Sequence, residues 1–329
     1  MADSGVALIR TDTGPVLSVE DLVVEFPVGR HRTVHAVSGV GFDLFAGETL
    51  GIVGESGCGK STAGRAVMQL PRPTSGRVTL NGTDLAELSP SALRKMRAQM
   101  TMIMQDPISS LNPRRRVKHL VTEGARIWRV HDEKRLDERA RAMLTAVGLD
   151  PDAVWNRLPA ELSGGQCQRV CIARAMMLEP QLLICDEPVS SLDVSVQAQI
   201  LNLLEETKNK FALSMIFIAH NMAVVKNISD RVMVMYLGKV CESVPSADME
   251  STVRHPYSQL LLASIPDPER KRGDTGQPPD IEGDLPSPLA PPSGCRFRTR
   301  CPLADERCVQ EEPPIREIAE NHYVACHRV

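Results

Sequence analysis

Aromatic residues are scarce in this chain, with two Trp, three Tyr and six Phe among 329 positions. Proteins that hold single-stranded nucleic acid stack its bases on such rings, so that class of function is disfavoured. An excess of one charge is missing as well. A formal net charge of -3 offers no basic surface to a polyanion, and no nucleic-acid partner is expected. Long apolar runs are also lacking. Stretches such as Met215 to Ala219 fall far short of the roughly 20 residues that a membrane-spanning helix needs. Met1 to Thr13 is charged, without the apolar core of a secretory signal, so membrane association is expected to run through a partner protein. The nine cysteines read as cytosolic thiols rather than a disulfide framework: five are scattered through apolar or loop positions, and four crowd the end of the chain. The length admits one large domain and a smaller appendage.

What the chain does contain is Gly54-Glu55-Ser56-Gly57-Cys58-Gly59-Lys60-Ser61-Thr62, the pattern of a phosphate-binding loop. Thr49 to Val53 reads as a short buried strand entering it, and Ser61 to Leu70 as a helix leaving it. Glycines at 54, 57 and 59 let successive backbone N–H groups face one anionic centre. The helix start adds about half a positive charge there. Lys60 is expected to reach the β- and γ-phosphates of a nucleoside triphosphate, and the Ser61 hydroxyl to ligate Mg²⁺. An ordinary Gly-rich turn would leave the Lys-Ser pair unexplained.

Around this loop, Leu17 to Phe26, Val34 to Leu44 and Gly76 to Leu80 have strand character, the last ending in the turn signal Asn81-Gly82. Together they suggest an antiparallel subdomain beside the loop. Ser89 is expected to cap a helix to Ala98 with Pro90 in its first position. Met100 to Met104 reads as a strand delivering Gln105, a candidate contact to Mg²⁺ or water. Val117 to Val147 has helical spacing and a densely charged, solvated face. In Leu162-Ser163-Gly164-Gly165-Gln166, Ser163 to Gly165 precede a helix expected from about Gln166 to Leu178 and stopped by Pro180, a second free helix N-terminus for phosphate. Cys167 follows it, where a small buried filler is the bland reading and a thiol with a lowered pKa the sharper one. Leu182 to Cys185 reads as a buried parallel strand. Asp186 at its end suits Mg²⁺, and Glu187 suits the polarisation of an attacking water. Asp193 is expected to cap the helix Val194 to Lys208. A further buried strand, Leu213 to Ala219, delivers His220, and Val232 to Glu242 reads as a closing hairpin.

The phosphate loop, Gln105, Leu162 to Gln166 and Leu182 to Glu187, in that order, resemble the ATPase subunits of ATP-binding-cassette transporters over roughly Val16 to Val244. The resemblance implies an α/β phosphate-loop NTPase of RecA-like fold, with an antiparallel β subdomain, a helical subdomain and a small Cys-rich C-terminal extension. It divides the chain into a tail at 1–15, a nucleotide-binding domain at 16–250 and an extension at 251–329. It also implies a head-to-tail pair of subunits, in which Ser163, Gly164, Gly165, Gln166 and Asp193 of one face the ATP on the loop of the other. His220 becomes the γ-phosphate contact, with Asn221 where many relatives carry Asp. An adenine-stacking aromatic ahead of the loop is not obvious. Phe26 or His31 would serve, Phe26 reading more simply as core.

Ser109 to Arg114, His255 to Leu261 and the stretch from Leu285 through Cys295 to Pro302 resemble the oligopeptide/dipeptide importer ATPases, a clan shared with nickel and some sugar importers. Pro266 to Gly294 reads as a Pro-rich, extended linker. This resemblance implies a peripheral subunit on the cytoplasmic face of the inner membrane. Its partners would be two membrane-spanning permeases, a paralogous ATPase subunit and an extracytoplasmic peptide-binding protein. The region from Gln105 to Gly148 would pass the motor's motion to the permeases. Rival readings are a nickel or other solute importer, a soluble cassette ATPase acting on nucleic acid or ribosomes, and a nucleotide-binding regulator without turnover. The presence of both Glu187 and His220 disfavours the last.

Cys295, Cys301, Cys308 and Cys326 lie in a segment too short and too charged to build much core of its own, so a metal is expected to nucleate it. Disulfides are disfavoured by the cytosolic context. Zn²⁺ is the alternative, although the spacing lacks the close Cys pairs of zinc sites. The resemblance implies a [4Fe–4S] cluster.

Overall fold

The structure is a computed structural model and describes residues 14–128, 132–265 and 283–329. Most of the N-terminal tail and of the Pro-rich linker lie outside the described residues.

In chain order, β1 (Leu17–Val28) and β2 (Arg32–Leu44) precede the short β3 (Thr49–Val53) and α1 (Lys60–Val67). Then come β4 (Ser75–Leu80), β5 (Thr83–Asp84), α2 (Pro90–Met96) and β6 (Met100–Ile103). Three helical pieces follow, α3 (Val117–Ile127), α4 (Glu133–Ala146) and α5 (Pro151–Val154), and then α6 (Gly164–Met176). The chain continues with β7 (Leu182–Asp186), α7 (Val194–Phe211), β8 (Ser214–Ala219) and α8 (Met222–Ile228). It closes with β9 (Arg231–Tyr236), β10 (Lys239–Pro245), α9 (Met249–Thr252), α10 (Pro256–Ala263), α11 (Glu306–Gln310), β11 (Arg316–Ala319) and β12 (His322–Val324).

The chain forms two compact units, and the division is not linear. One unit takes residues up to Leu88 together with Ile218 onward, and the other takes Ser89–Phe217.

In the first unit, β1 pairs antiparallel with β2 and β4, giving the order β2-β1-β4-β5. The turn from β4 to β5 is made by Asn81 (φ 49°) and Gly82 (φ 74°), the left-handed pair that a tight hairpin needs. A second group of strands runs β11-β12-β10-β9-β3. Here β3 lies parallel to β9 and is buried at every position, as a strand covered on both faces must be. Arg231 opens β9 among buried carboxylates, with Nη2 2.7 Å from Asp43 Oδ1 and Nε 3.0 Å from Glu48 Oε1. The C-terminal segment is built into this unit. Strand β12 pairs with β10, placing Val324 opposite Glu242, and Phe297 packs its ring 5.1 Å from Tyr236 and 5.2 Å from Tyr257. The segment therefore borrows a core from its neighbours in space, where the sequence had suggested that a metal must stand in for one.

In the second unit, β8, β7 and β6 are neighbours, with β6 parallel to β7. Helix α3 buries Val117, Leu120, Val121 and Ala125, and α4 buries Leu136, Ala140 and Leu144, each set at the spacing of one helical face. Their outer faces carry ion pairs such as Arg126–Glu133 and Arg141–Asp152. Ser89 caps α2 as expected, its hydroxyl accepting the Ala92 N–H with Pro90 next in line.

Candidate active site

The phosphate loop joins β3 to α1. Gly59 sits at the N-cap of α1 with φ 103°, and a Cβ there would stand 2.1 Å from the Ala36 carbonyl oxygen. Only glycine fits both the dihedral and the contact. No side-chain hydrogen bond caps α1 at Gly59, an arrangement that suits a helix N-terminus meant for an anion. The far side of the loop is tied down by the Gly238 N–H, which donates to the Cys58 carbonyl at 2.7 Å.

Lys60 is 4% exposed, and its ammonium donates to the carbonyls of Gly54 (2.7 Å) and Glu55 (2.9 Å). The third donor has the Cys58 sulfur at 3.9 Å, a weak contact that a phosphate oxygen can displace. Cys58 is buried beneath it. Burial pushes the thiol up against the opposing pull of Lys60, which keeps it neutral beside the loop. Ser61 and Thr62 follow, half-buried, in the first turn of α1. His220, at the end of β8, is exposed and belongs to the same unit. The next residue, Asn221, caps α8 by accepting the N–H groups of Ala223 and Val224, so the residue that departs from the family pattern has its own structural work.

The second unit assembles the carboxylates. Strand β7 is buried throughout, and Asp186 at its end is fully buried. Glu187 has φ 48°, a conformation that costs a non-glycine residue about 1–2 kcal/mol. Its Oε2 accepts the Gln105 amide at 3.0 Å, and its carbonyl accepts the Ser190 hydroxyl at 3.1 Å. The parallel register, Ile103 opposite Cys185, brings Gln105 and Glu187 out at the same strand ends, where open α/β sheets place their ligands.

Helix α6 starts at Gly164, two residues before the expected Gln166. Ser163 and Gln166 form a capping box, the Gln166 N–H donating to Ser163 Oγ (3.3 Å) and the Ser163 N–H to Gln166 Oε1 (3.0 Å). A Cβ on Gly165 would meet Val196 Cγ1 at 2.8 Å, so α6 and α7 touch closely here. One expectation is corrected in this unit, the cap at Asp193, and one is met, at Cys167. Asp193 occupies the N-cap position of α7, but its side chain makes no capping hydrogen bond. Cys167 is fully buried and burial raises its pKa, so the bland reading of that thiol holds over the reactive one. In the first unit Phe26 is 38% exposed, near the tip of the β1–β2 hairpin, and is not core; His31 is exposed at the same tip.

Two contributors to the loop escaped the sequence reading. Tyr257 donates no signal beyond its place in His255 to Leu261, yet its hydroxyl accepts the Glu55 N–H at 2.9 Å. Arg300 bonds the Glu55 carboxylate from the C-terminal segment.

In that segment Cys295 and Cys301 are half-buried, Cys308 and Cys326 are buried, and all are free thiols. They lie close enough to act on one another. Burial pushes Cys295 up to about 11, and the charges of Cys308, Cys301 and Cys326 push in the same direction. Gly294 (φ 61°) turns the chain so that the Cys295 N–H donates to the Cys308 carbonyl at 2.9 Å. Among the described residues no three His, Cys, Asp or Glu side chains converge on a point that could hold a metal ion. A single zinc ion needs all its thiolates about 2.3 Å from one centre.

No helix among the described residues is long and apolar enough to cross a membrane. A family model described as ABC transporter matches residues 37–190, and one described as oligopeptide/dipeptide transporter, C-terminal region, matches residues 241–308. The oligopeptide transport ATP-binding protein OppF of Haemophilus influenzae is 45% identical, covering 95% of this chain and 97% of that protein. The corresponding protein AppF of Bacillus subtilis is 46% identical, covering 95% and 97%. Among solved structures, cbiO1 from Clostridium perfringens, part of an ABC transporter complex, aligns with a TM-score of 0.64 at 27% identity, over 72% of this chain and 91% of that one. The dimeric ATP-binding cassette MJ0796 bound to ADP and phosphate aligns with a TM-score of 0.64 at 25% identity, over 70% and 98%. With relatives of this identity covering 95% of its length, and with both family models matched, the chain belongs to the ATP-binding-protein family of ABC transporters, in the branch that carries the oligopeptide/dipeptide C-terminal region.

Proposed function

We propose that this chain is the ATP-hydrolysing subunit of an importer that takes up oligopeptides or dipeptides, working at the cytoplasmic face of the membrane. The observation that carries turnover rather than mere binding is Glu187, buried in a strained conformation and held by Gln105. Strain persists where a surrounding site fixes it. The phosphate loop binds the triphosphate, with Lys60 on its β- and γ-phosphates. Glu187 takes the proton of the attacking water, and His220 orients the γ-phosphate. Ser61, Gln105 and Asp186 are the residues that would hold Mg²⁺, and the ion would supply charge to offset the phosphates. Ser163 to Gln166 and Asp193 complete the ATP site of a facing subunit. Partners are two membrane-spanning permeases, a second ATPase subunit and an extracytoplasmic binding protein. The relatives named for oligopeptide transport support peptides over nickel as the cargo.

ATP turnover by the isolated chain should be weak and should rise at least tenfold in vesicles holding the permeases and partner ATPase, with labelled peptide accumulating. Full activity in a strictly monomeric preparation would refute the paired mechanism. Uptake of nickel but not peptide would refute the cargo.

The cysteine segment is proposed to hold a [4Fe–4S] cluster on Cys295, Cys301, Cys308 and Cys326, with a structural role. Anaerobically purified protein should contain iron and matching acid-labile sulfide. Stoichiometric zinc without sulfide would replace the cluster by Zn²⁺, and unchanged iron in Cys301→Ser would remove that residue from the ligand set.

A further inference from the structure

The contact between the C-terminal segment and the phosphate loop has no place in the roles assigned above. Arg300 Nη1 lies 3.0 and 2.9 Å from the two carboxylate oxygens of Glu55, and 3.3 Å from the Tyr236 hydroxyl. The Arg300 side chain is 6% exposed and that of Glu55 26%, so the pair is shielded from the screening that weakens surface ion pairs. Behind it, Tyr236 and Tyr257 pack edge to face with centroids 4.8 Å apart, and the guanidinium carbon stands 5.8 Å over the Tyr236 ring.

Glu55 is held at three points. Arg300 takes its carboxylate, the Tyr257 hydroxyl accepts its N–H, and its carbonyl accepts from Lys60. Two physical consequences follow for an incoming triphosphate. A carboxylate inside a loop that binds a polyanion is a like charge in the wrong place, and an opposed guanidinium cancels it. Holding Glu55 also fixes one of the two carbonyls on which the Lys60 ammonium rests, and so helps hold the ammonium where a phosphate would meet it.

We propose that Arg300 is a positioning residue for nucleotide binding. Acting through Glu55, it holds the phosphate loop and Lys60 in their binding geometry and neutralises the carboxylate that would otherwise oppose the triphosphate. The C-terminal segment is thereby part of the ATP site's support. The inference rests on Gly54 to Thr62 being the nucleotide loop.

The test is calorimetric titration of the full-length chain with a non-hydrolysable ATP analogue and Mg²⁺. Arg300→Ala should weaken affinity about tenfold, the size expected for losing one charge-assisted hydrogen-bonded partner. In a Glu55→Gln background, where no charge is left to neutralise, the same substitution should cost less than about threefold, a coupling that a double-mutant cycle reads directly. Arg300→Lys should restore most of the affinity in the parent background. A structural role alone would give equal losses in both backgrounds and no rescue by lysine, and either result overturns the proposal. If Arg300→Ala does not fold, Arg300→Lys and Arg300→Gln are compared in the same two backgrounds, where equal affinities again overturn it. No binding by the parent chain would refute the loop assignment itself and this inference with it. Binding by the parent and equal binding by Arg300→Ala would refute this inference alone.

Discussion

Replacing Glu187 by Gln tests the hydrolytic assignment with little structural disturbance. The residue is 8% exposed, its φ is 48°, and its Oε2 accepts the Gln105 amide at 3.0 Å. Glutamine has the same length, carries the same backbone strain and offers an amide oxygen to the same donor. Packing, dihedral and hydrogen bond therefore survive. The thermal midpoint should stay within about 2 °C, the shift that roughly 0.5 kcal/mol gives a protein of this size. What goes is proton affinity. Losing a positioned general base slows turnover about 10²- to 10⁴-fold, or roughly 3–5 kcal/mol on the barrier. Phosphate release by the assembled transporter measures the first quantity, and calorimetry on the same variant measures nucleotide affinity, expected within about threefold of the parent. Turnover near the parent rate would refute the role given to Glu187. A lost midpoint together with lost affinity would show that the carboxylate holds the strand end rather than the water.

Lys60→Ala should fail at an earlier step. It removes the group assigned to the phosphates and the donor to the Gly54 and Glu55 carbonyls, so affinity should fall about 100-fold, the size of two charged hydrogen bonds to the triphosphate; unchanged affinity by calorimetry would refute the loop assignment. His255 gives a pH dependence. Burial lowers its pKa from the ordinary 6.5 to about 4, partly opposed by Glu242. Between those values the unfolded chain takes up a proton that the folded chain refuses, so this contribution is full above pH 6.5 and is lost as pH falls towards 4. Urea unfolding should show about 2 kcal/mol less stability at pH 5 than at pH 7.5, a fall absent from His255→Gln; equal pH slopes in both would refute it. Gly59→Ala should lose both nucleotide binding and several degrees of midpoint, since its Cβ would stand 2.1 Å from the Ala36 oxygen; a stable, binding variant would show that the loop can shift.

The parts of the site that were legible in the sequence are those made by neighbouring residues. Glycines that permit a turn, Ser163 and Gln166 that cap one another, Ser89 before Pro90, and Asn81-Gly82 at a hairpin all act within a few positions of themselves, and the structure shows each doing so. Strand ends were legible for the same reason, because a buried apolar run stops where a carboxylate begins, as at Cys185-Asp186. Contacts set by the tertiary path were not. Gln105 and Glu187 are 82 positions apart, and Glu55 and Arg300 are 245 apart, so no local pattern connects them. The C-terminal segment was misjudged on the same ground. Its core is supplied by Tyr236 and Tyr257, and a strand of three residues, His322–Val324, has too little length to show a period. Phe26 was taken for core because it is apolar and strand-borne, but a hairpin tip that projects from its sheet exposes whatever it carries.

Strand β10 has a further consequence through the pairing that β12 gives it. A mixed sheet that ended at β10 would present a row of open N–H and C=O groups beside apolar side chains such as Val240, a template on which another chain could add as a strand. Strand β12 covers that row, and the sheet then ends at β11, which is only four residues long, exposed at every position, and charged at Arg316 and Glu317. Short, charged borders of this kind discourage edge-to-edge polymerisation. Shortening the chain before Arg316 would thus leave more than a smaller protein: it would leave an adhesive one, whose fate at the high local concentration of nascent chains is self-association rather than a free cassette awaiting its partners.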